Sequence, residues 1–195
     1  HCLGQQALEQ YAAAFGFNRA IPFELPVPPS QAPVTDDAYQ WAEVASGFNR
    51  QTVISPLHGA LLAAVVPNAG MLLEPTIVDR ITGPQGRVLY RSGPKQEARA
   101  VTPETALELE RLMRETVSRG TARKIFRNRA KDRVLSQLVI GGKTGSIDNK
   151  AHDARYDWFV GFAEEKHGPK KIAVSVIVAH EKYIGLRASY YARTA

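Results

Sequence analysis

The final third of the chain restricts the fold more than any other part. Three apolar runs follow one another there: LVIGGKTGS (138–146), DWFVGFAEE (157–165) and KIAVSVIVAH (171–180). Each is rich in β-branched or aromatic residues, and only the polar links DNKAHDARY and KHGPK part them. Apolar runs of this length between turn-formers read as strands. A link as short as KHGPK leaves no room for a crossover helix, so the two strands it joins are expected to be antiparallel neighbours. GLRASYYART (185–194) then reads as a closing helix.

The earlier residues have a helical character. Residues 3–15 place Leu3, Ala7, Leu8, Tyr11 and Phe15 near one face, and Gly16 is a stop signal. Residues 21–36 hold five prolines (22, 26, 28, 29 and 33), a density that predicts a loop. Ser55-Pro56 is a helix start, for a helix running to about Val66. TIVDRI (76–81) and RVLYRS (87–92), separated by TGPQG, read as a β-hairpin. Thr102-Pro103-Glu104 caps a further helix, with Leu109, Leu112, Met113, Thr116 and Val117 on one face and Gly120 at its end. Helices first, then an antiparallel sheet, then a helix make an α+β fold.

Composition excludes several classes. At 195 residues, 44% hydrophobic and 23% charged, the chain is an ordinary globular one. Its longest strongly apolar run, ALLAAVV (60–66), is far too short to cross a bilayer. A single cysteine, Cys2, rules out an internal disulfide framework and a Cys-rich metal site. No H-x-x-x-H or C-x-x-C occurs, so neither a metal nor a cofactor is expected. The net charge of +6 is concentrated in Arg119, Arg123, Lys124, Arg127, Arg129, Lys131 and Arg133, opposed only by Asp132. Such a run attracts anionic polymers, but its only aromatic is Phe126; we read it as a solvated surface and expect no nucleic acid.

GGKTGS (141–146) is the stretch with chemistry in it. A phosphate-binding loop needs G-x-x-x-x-G-K-[ST], and its leading glycine would fall on Gln137. It also needs a helix after the Lys-Thr, where SIDNKAHDARY offers a polar turn. On a strand the residues divide differently. Lys143 and Gly145 point one way, Thr144 and Ser146 the other. That arrangement would set a cation beside a serine nucleophile, offer hydroxyls to a carboxylate, and at Gly145 leave room for a ligand against the backbone; the plain alternative is a β-turn or bulge with a solvated Lys143. A backbone N–H just beyond would then be placed to serve as half of an oxyanion hole.

K-T-G is one of three motifs of penicillin-binding proteins and class A β-lactamases, and the chain resembles the second half of a penicillin-binding protein transpeptidase domain. FGFN (15–18), TVISPLHGALLAAVVPNAG (52–70), LLEPTIV (72–78), RGTAR (119–123), GGKTGS and the two runs after it are similar to that family's landmarks, in its order. The resemblance implies a partial β-lactamase/transpeptidase-like fold, with residues 1–195 forming the C-terminal part of one transpeptidase domain. It implies roles for Lys143 and Thr144 in acylation and carboxylate recognition, an oxyanion-hole N–H on Ser146, and a strand edge shaped by Gly142 and Gly145. Trp158 resembles the family's sheet tryptophan and is expected in the core.

The family's S-x-x-K and S-x-N are not found. Of the nine serines only Ser92-Gly93-Pro94-Lys95 fits the first pattern, and Gly-Pro forbids the helix that would align Ser with Lys. The second pattern occurs nowhere. Starting at His1 inside a helical pattern, the chain is expected to be a fragment of a membrane-anchored parent, extracytoplasmic or periplasmic, and inactive alone. The parent would cross-link peptidoglycan stem peptides and bind β-lactams. A non-catalytic interaction module of the cell envelope is the alternative. An exposed sheet edge invites dimerisation. Elsewhere, Ser55 with His58 or His152-Asp153 lacks a G-x-S-x-G context, His167 and His180 are far apart, and Glu164-Glu165 reads as a solvated strand end.

Overall fold

The computed structural model describes residues 4–47, 49, 51–93, 95–149, 153–181 and 183–195. In chain order the elements are α1 (Gln5–Ala14), α2 (Ala38–Ser46), α3 (Pro56–Val65), β1 (Met71–Leu73), β2 (Arg80–Thr82), β3 (Val88–Arg91), β4 (Gln96–Arg99), α4 (Pro103–Ser118), α5 (Arg123–Phe126), β5 (Leu138–Asp148), β6 (Arg155–Glu165), β7 (Lys171–His180) and α6 (Ala188–Thr194). They divide into two compact units. One comprises the residues up to Ser55 with Met71–Ala100; the other comprises Pro56–Gly70 with Val101–Ala195. This mixture of helices and antiparallel sheets is the α+β class that the order of patterns predicts.

The second unit is built on the three expected strands, in the order β5-β6-β7. Both pairs are antiparallel, and β5 meets β6 in unbroken register from Leu138 opposite Glu165 to Asp148 opposite Arg155. Residues opposite each other share a face. On one face Thr144, Phe159 and Val176 form a row. Phe159 is 2% exposed and packs with Val117 of α4, Phe126 of α5, Ala188 of α6 and the buried Ala122. Its ring stacks on Phe126 with centroids 6.0 Å apart. On the opposite face α3 lies close because Gly59 has no side chain: a Cβ there would be 2.6 Å from Ser175 Oγ and 3.2 Å from Val160 Cγ1. Trp158 is half-buried; the fully buried rings of the sheet are Phe159 and Phe162.

Helix α4 begins as its sequence predicts, with Thr102 Oγ1 accepting a hydrogen bond from the Thr105 N–H at 3.2 Å and Pro103 in the first turn. Its inward stripe differs from expectation. Ala106 and Val117 are buried with Leu109 and Met113 beside them, while Leu112 is 49% exposed. Leu112 lies six residues from Ala106, about 120° round the helix, so it cannot join that stripe.

In the first unit α1 runs to the expected glycine, where Gly16 takes φ 86° and the Phe17 N–H reaches back to the Ala12 carbonyl. Leu3, the first residue of the expected helix, lies outside the described residues, and Tyr11, expected on its apolar face, is 54% exposed. The proline-rich stretch holds no helix or strand, yet it is anchored. Asn18 accepts from the Ala32 N–H at 2.8 Å and donates to its carbonyl at 3.2 Å, and Gln31 bridges Val53. Helix α2 was not expected; Asp37 caps it by accepting from the Tyr39 N–H, and Gly47 ends it at φ 71°. The hairpin is present but shorter than its sequence suggests, Arg80–Thr82 against Val88–Arg91. A second pair, β1 with β4, was not anticipated.

Candidate functional site

Glycine pairs and aromatic rings shape the start of the K-T-G strand. A Cβ on Gly142 would be 2.2 Å from Phe159 Cζ, and one on Gly141 would be 2.5 Å from Phe162 Cζ. Ring carbons of the two phenylalanines therefore occupy the space a side chain at 142 or 141 would need, where only glycine leaves room. Gly145 is different. A Cβ there would meet only Trp158 Cβ, at the ordinary distance of 3.6 Å. Packing within the chain requires glycine at 142 and leaves 145 open.

Backbone direction follows from the two ends of the ladder. The Lys166 N–H donates to the Gln137 carbonyl at 2.9 Å, and the Asn149 N–H donates to the Ala154 carbonyl at 2.9 Å. Both bonds use odd-numbered residues of the β5 line, and the register between them is unbroken. In an antiparallel pair, the residue that bonds its neighbour does so with both its N–H and its C=O, and its neighbours in sequence point theirs the other way. Lys143 and Gly145 thus turn their amides into β6, and Thr144 and Ser146 turn theirs outward. No strand among the described residues lies on that side of β5. The Lys143 ammonium is exposed and donates to the Thr144 carbonyl at 2.7 Å, as an outward carbonyl allows.

The side chains complete the site. Thr144 Oγ1 lies 2.6 Å from Thr121 Oγ1, in the turn after α4. The Ser146 hydroxyl donates to Asp157 Oδ1 at 3.1 Å. Asp157 is 4% exposed and also accepts from Arg187 Nη1 at 3.1 Å and from the Ala188 N–H, at the start of α6, at 2.8 Å. A buried carboxylate with three donors is well satisfied. It holds the Ser146 side chain toward the sheet, so the free hydroxyl expected at 146 is a structural one, and the outward group there is the amide.

Sequence reasoning missed Thr121 and Asp157. Thr121 lies within RGTAR, which the resemblance marks as a landmark before the K-T-G strand without assigning its threonine a role. Asp157 opens DWFVGFAEE, and a carboxylate alternating in step with Phe159 on the covered face was the available signal. The other sequence candidates have plain structural settings. The Ser92 N–H donates to the Asp79 carbonyl at 2.7 Å, and Lys95 pairs with Glu74 at 3.6 Å. Glu164 pairs with Lys171 at 3.1 Å, and His180 Nδ1 accepts from the Gly185 N–H at 3.3 Å. His58 is buried in α3, and His152 lies outside the described residues. In the basic run, the N–H groups of Leu135 and Val134 hold the Asp132 carboxyl below the usual range, with Arg193 beside it. A cavity of about 660 Å³ opens on the Phe159 face between the sheet and α6; none of residues 143–146 lines it.

Comparison with known proteins points to one family. The penicillin binding protein transpeptidase domain matches residues 1–194. The peptidoglycan D,D-transpeptidase PbpA of Mycolicibacterium smegmatis is 27% identical over 181 residues, which are 90% of this chain and 34% of that protein. Penicillin-binding protein 1A of Neisseria lactamica is 30% identical over 165 residues, 82% of this chain and 17% of that protein. The imipenem acyl-enzyme complex of penicillin-binding protein A from M. tuberculosis superimposes with a TM-score of 0.76 at 27% identity, over 96% of this chain and 40% of that one. The D,D-transpeptidase domain of a peptidoglycan glycosyltransferase from Eggerthella lenta gives 0.75 at 23% identity, over 97% of this chain and 46% of that one, a likeness of fold. The chain spans about a third of the length of the PbpA relatives. Fold, strand order and a match over nearly every residue place the chain in the penicillin-binding protein transpeptidase family.

Proposed function

We propose that this chain supplies the K-T-G wall of the active site of a serine-type D,D-transpeptidase that cross-links peptidoglycan, as the C-terminal part of one transpeptidase domain. The observation that carries the reading is the open edge of β5. Thr144 and Ser146 turn their amides outward there, and Gly145 is a glycine that packing within the chain does not demand. In the proposed reaction a serine attacks the carbonyl of a D-Ala-D-Ala stem peptide, the terminal D-Ala leaves, and an acyl-enzyme forms. The amine of a neighbouring stem peptide then takes the acyl group and the serine is released. Lys143 brings positive charge to the nucleophile and the donor's carboxylate. The Thr144 hydroxyl donates to that carboxylate. The Ser146 N–H contributes half of the oxyanion hole, with the large differential effect such donors have when charge develops opposite them. Gly145 lets the donor lie against the strand, and Gly142 keeps the strand straight over Phe159.

The nucleophile is assigned to parts of the protein outside these 195 residues, because S-x-x-K is met here only at Ser92 to Lys95. A β-lactam imitates the donor, so acylation by one reports the site. The reaction belongs to the cell wall, which sets the protein on the extracytoplasmic face of the inner membrane with stem peptides as its partners. Intact-mass spectrometry after incubation with benzylpenicillin tests the reading. The whole protein is expected to gain one penicillin and these 195 residues alone none. Addition to neither would replace the reading with a non-catalytic envelope module, and specific acylation of the 195 residues would refute the assignment of the nucleophile.

A further inference from the structure

We propose that Thr121 is a positioning residue for this site: its hydroxyl donates to Thr144 Oγ1, so that the proton of Thr144 is aimed at the substrate carboxylate. This rests on the reading of β5 as the wall that meets that carboxylate.

The turn that carries Thr121 is fixed on both sides. Gly120 is pressed against the last turn of α4, where a Cβ would be 2.8 Å from Thr116 Cα and 3.1 Å from the Thr116 carbonyl. Ala122 is fully buried and its N–H donates to the same Thr116 carbonyl at 3.1 Å. The sequence G-T-A thus has one reason per residue. Glycine permits the close approach, alanine fills the space behind, and the threonine between them is delivered to β5. Its side chain is exposed and its hydroxyl meets Thr144 Oγ1 at 2.6 Å.

Each hydroxyl has one proton and two lone pairs. At 2.6 Å one of the pair donates to the other. Were Thr144 the donor, its proton would be spent on Thr121 and only lone pairs would face an anion. With Thr121 as donor, the Thr144 proton is free, and the bond it receives polarises the bond it makes. Binding of a carboxylate therefore selects the second arrangement, and Thr121 acts through Thr144 without touching the substrate.

The test uses the whole protein and two probes, benzylpenicillin and its methyl ester, which differ in the carboxylate alone. Second-order acylation rates are measured by stopped-flow or mass spectrometry, with thermal melting as a check on folding. Thr121→Val, and Thr121→Ala beside it, are expected to lower the rate with the acid by up to about tenfold, the loss of the one neutral hydrogen bond that orients Thr144, and to leave the ester rate nearly unchanged. Thr121→Ser restores the preference for the acid, and Thr144→Val abolishes it. Equal loss with acid and ester, an unchanged preference in both Thr121 variants, or failure of serine to rescue overturns this proposal while the function above stands. A preference that survives in Thr144→Val removes the carboxylate role of Thr144 and this proposal with it. A wild-type protein that takes up neither probe overturns both.

Discussion

Adding one methyl group at Gly142 and one at Gly145 separates the two uses that β5 makes of glycine. At Gly142 the new carbon would be 2.2 Å from Phe159 Cζ and 2.7 Å from its Cε2. Carbon atoms settle at about 3.5–4.0 Å, so the ring would have to retreat by roughly an ångström or more. Phe159 is buried and stacked on Phe126, itself buried, so the displacement is passed into the centre of the core. Such overpacking costs about 1–3 kcal/mol. Alanine also stiffens the unfolded chain, which returns about 0.4–1 kcal/mol at sites whose backbone suits it. Neither glycine is among those with positive φ, so both backbones suit alanine. Gly142→Ala is therefore expected to be destabilised by about 1–2 kcal/mol, and Gly145→Ala to be as stable as the parent or slightly more so. For a chain of this length each kcal/mol moves Tm by about 2–4 °C, so the two melting points should differ by several degrees. Differential scanning calorimetry of the two variants beside the parent reads this directly. In the whole protein the order reverses: Gly145→Ala, though stable, is expected to slow acylation because its methyl stands where the donor lies. Equal melting points, or a Gly145 variant as unstable as the Gly142 one, would refute the division of roles.

Two further outcomes follow from the polar contacts. Asp157→Ala leaves Ser146, Arg187 and the first N–H of α6 without their shared acceptor; because Arg187 is nearly half exposed, we expect a loss of about 2 kcal/mol, below the usual range for a broken buried pair, measured by urea unfolding. In the other unit, the Thr76 hydroxyl, the backbone N–H of Glu24 itself and the Ile77 N–H hold the Glu24 carboxyl below its ordinary value. A carboxyl whose folded pKa is depressed adds stability above its unfolded pKa and loses it as pH falls through the folded one. The Tm difference between the parent and Glu24→Gln should therefore be present at neutral pH and vanish in strong acid, and a difference that persists there would rule the contact out as its source.

The sequence made the sheet legible because its signals are local. Strings such as KIAVSVIVAH are continuous apolar runs rich in residues branched at Cβ, and KHGPK is too short for anything but a hairpin. Thr102-Pro103 predicted the start of α4 correctly because a cap is read within four residues. The inward stripe of α4 was harder. Leu112 is as apolar as Leu109, and only the position of β5 beside the helix decides which of them is covered. Helix α2 had its cap, Asp37, and its terminating Gly47 in plain view, but the prolines before it masked them. The pairing of β1 with β4 depends on residues more than twenty apart in the chain, which no local pattern records. In the site, Lys143 to Ser146 were legible as a motif. The meeting of Thr121 with Thr144 was not, because the two are 23 positions apart in the chain, with α5 and irregular turns between them. The engagement of Ser146 by Asp157 depends on a register that is set only when β5 and β6 pair.

The outward amides of Thr144 and Ser146 bear on heredity as well as on shape. A donor that belongs to the main chain is encoded at every codon except those for proline, so point mutations can exchange the side chains along this edge and leave its N–H groups where they are. What variation can rewrite at this edge is the choice of occupant; the capacity to hold an extended main chain beside β5 persists through nearly every substitution.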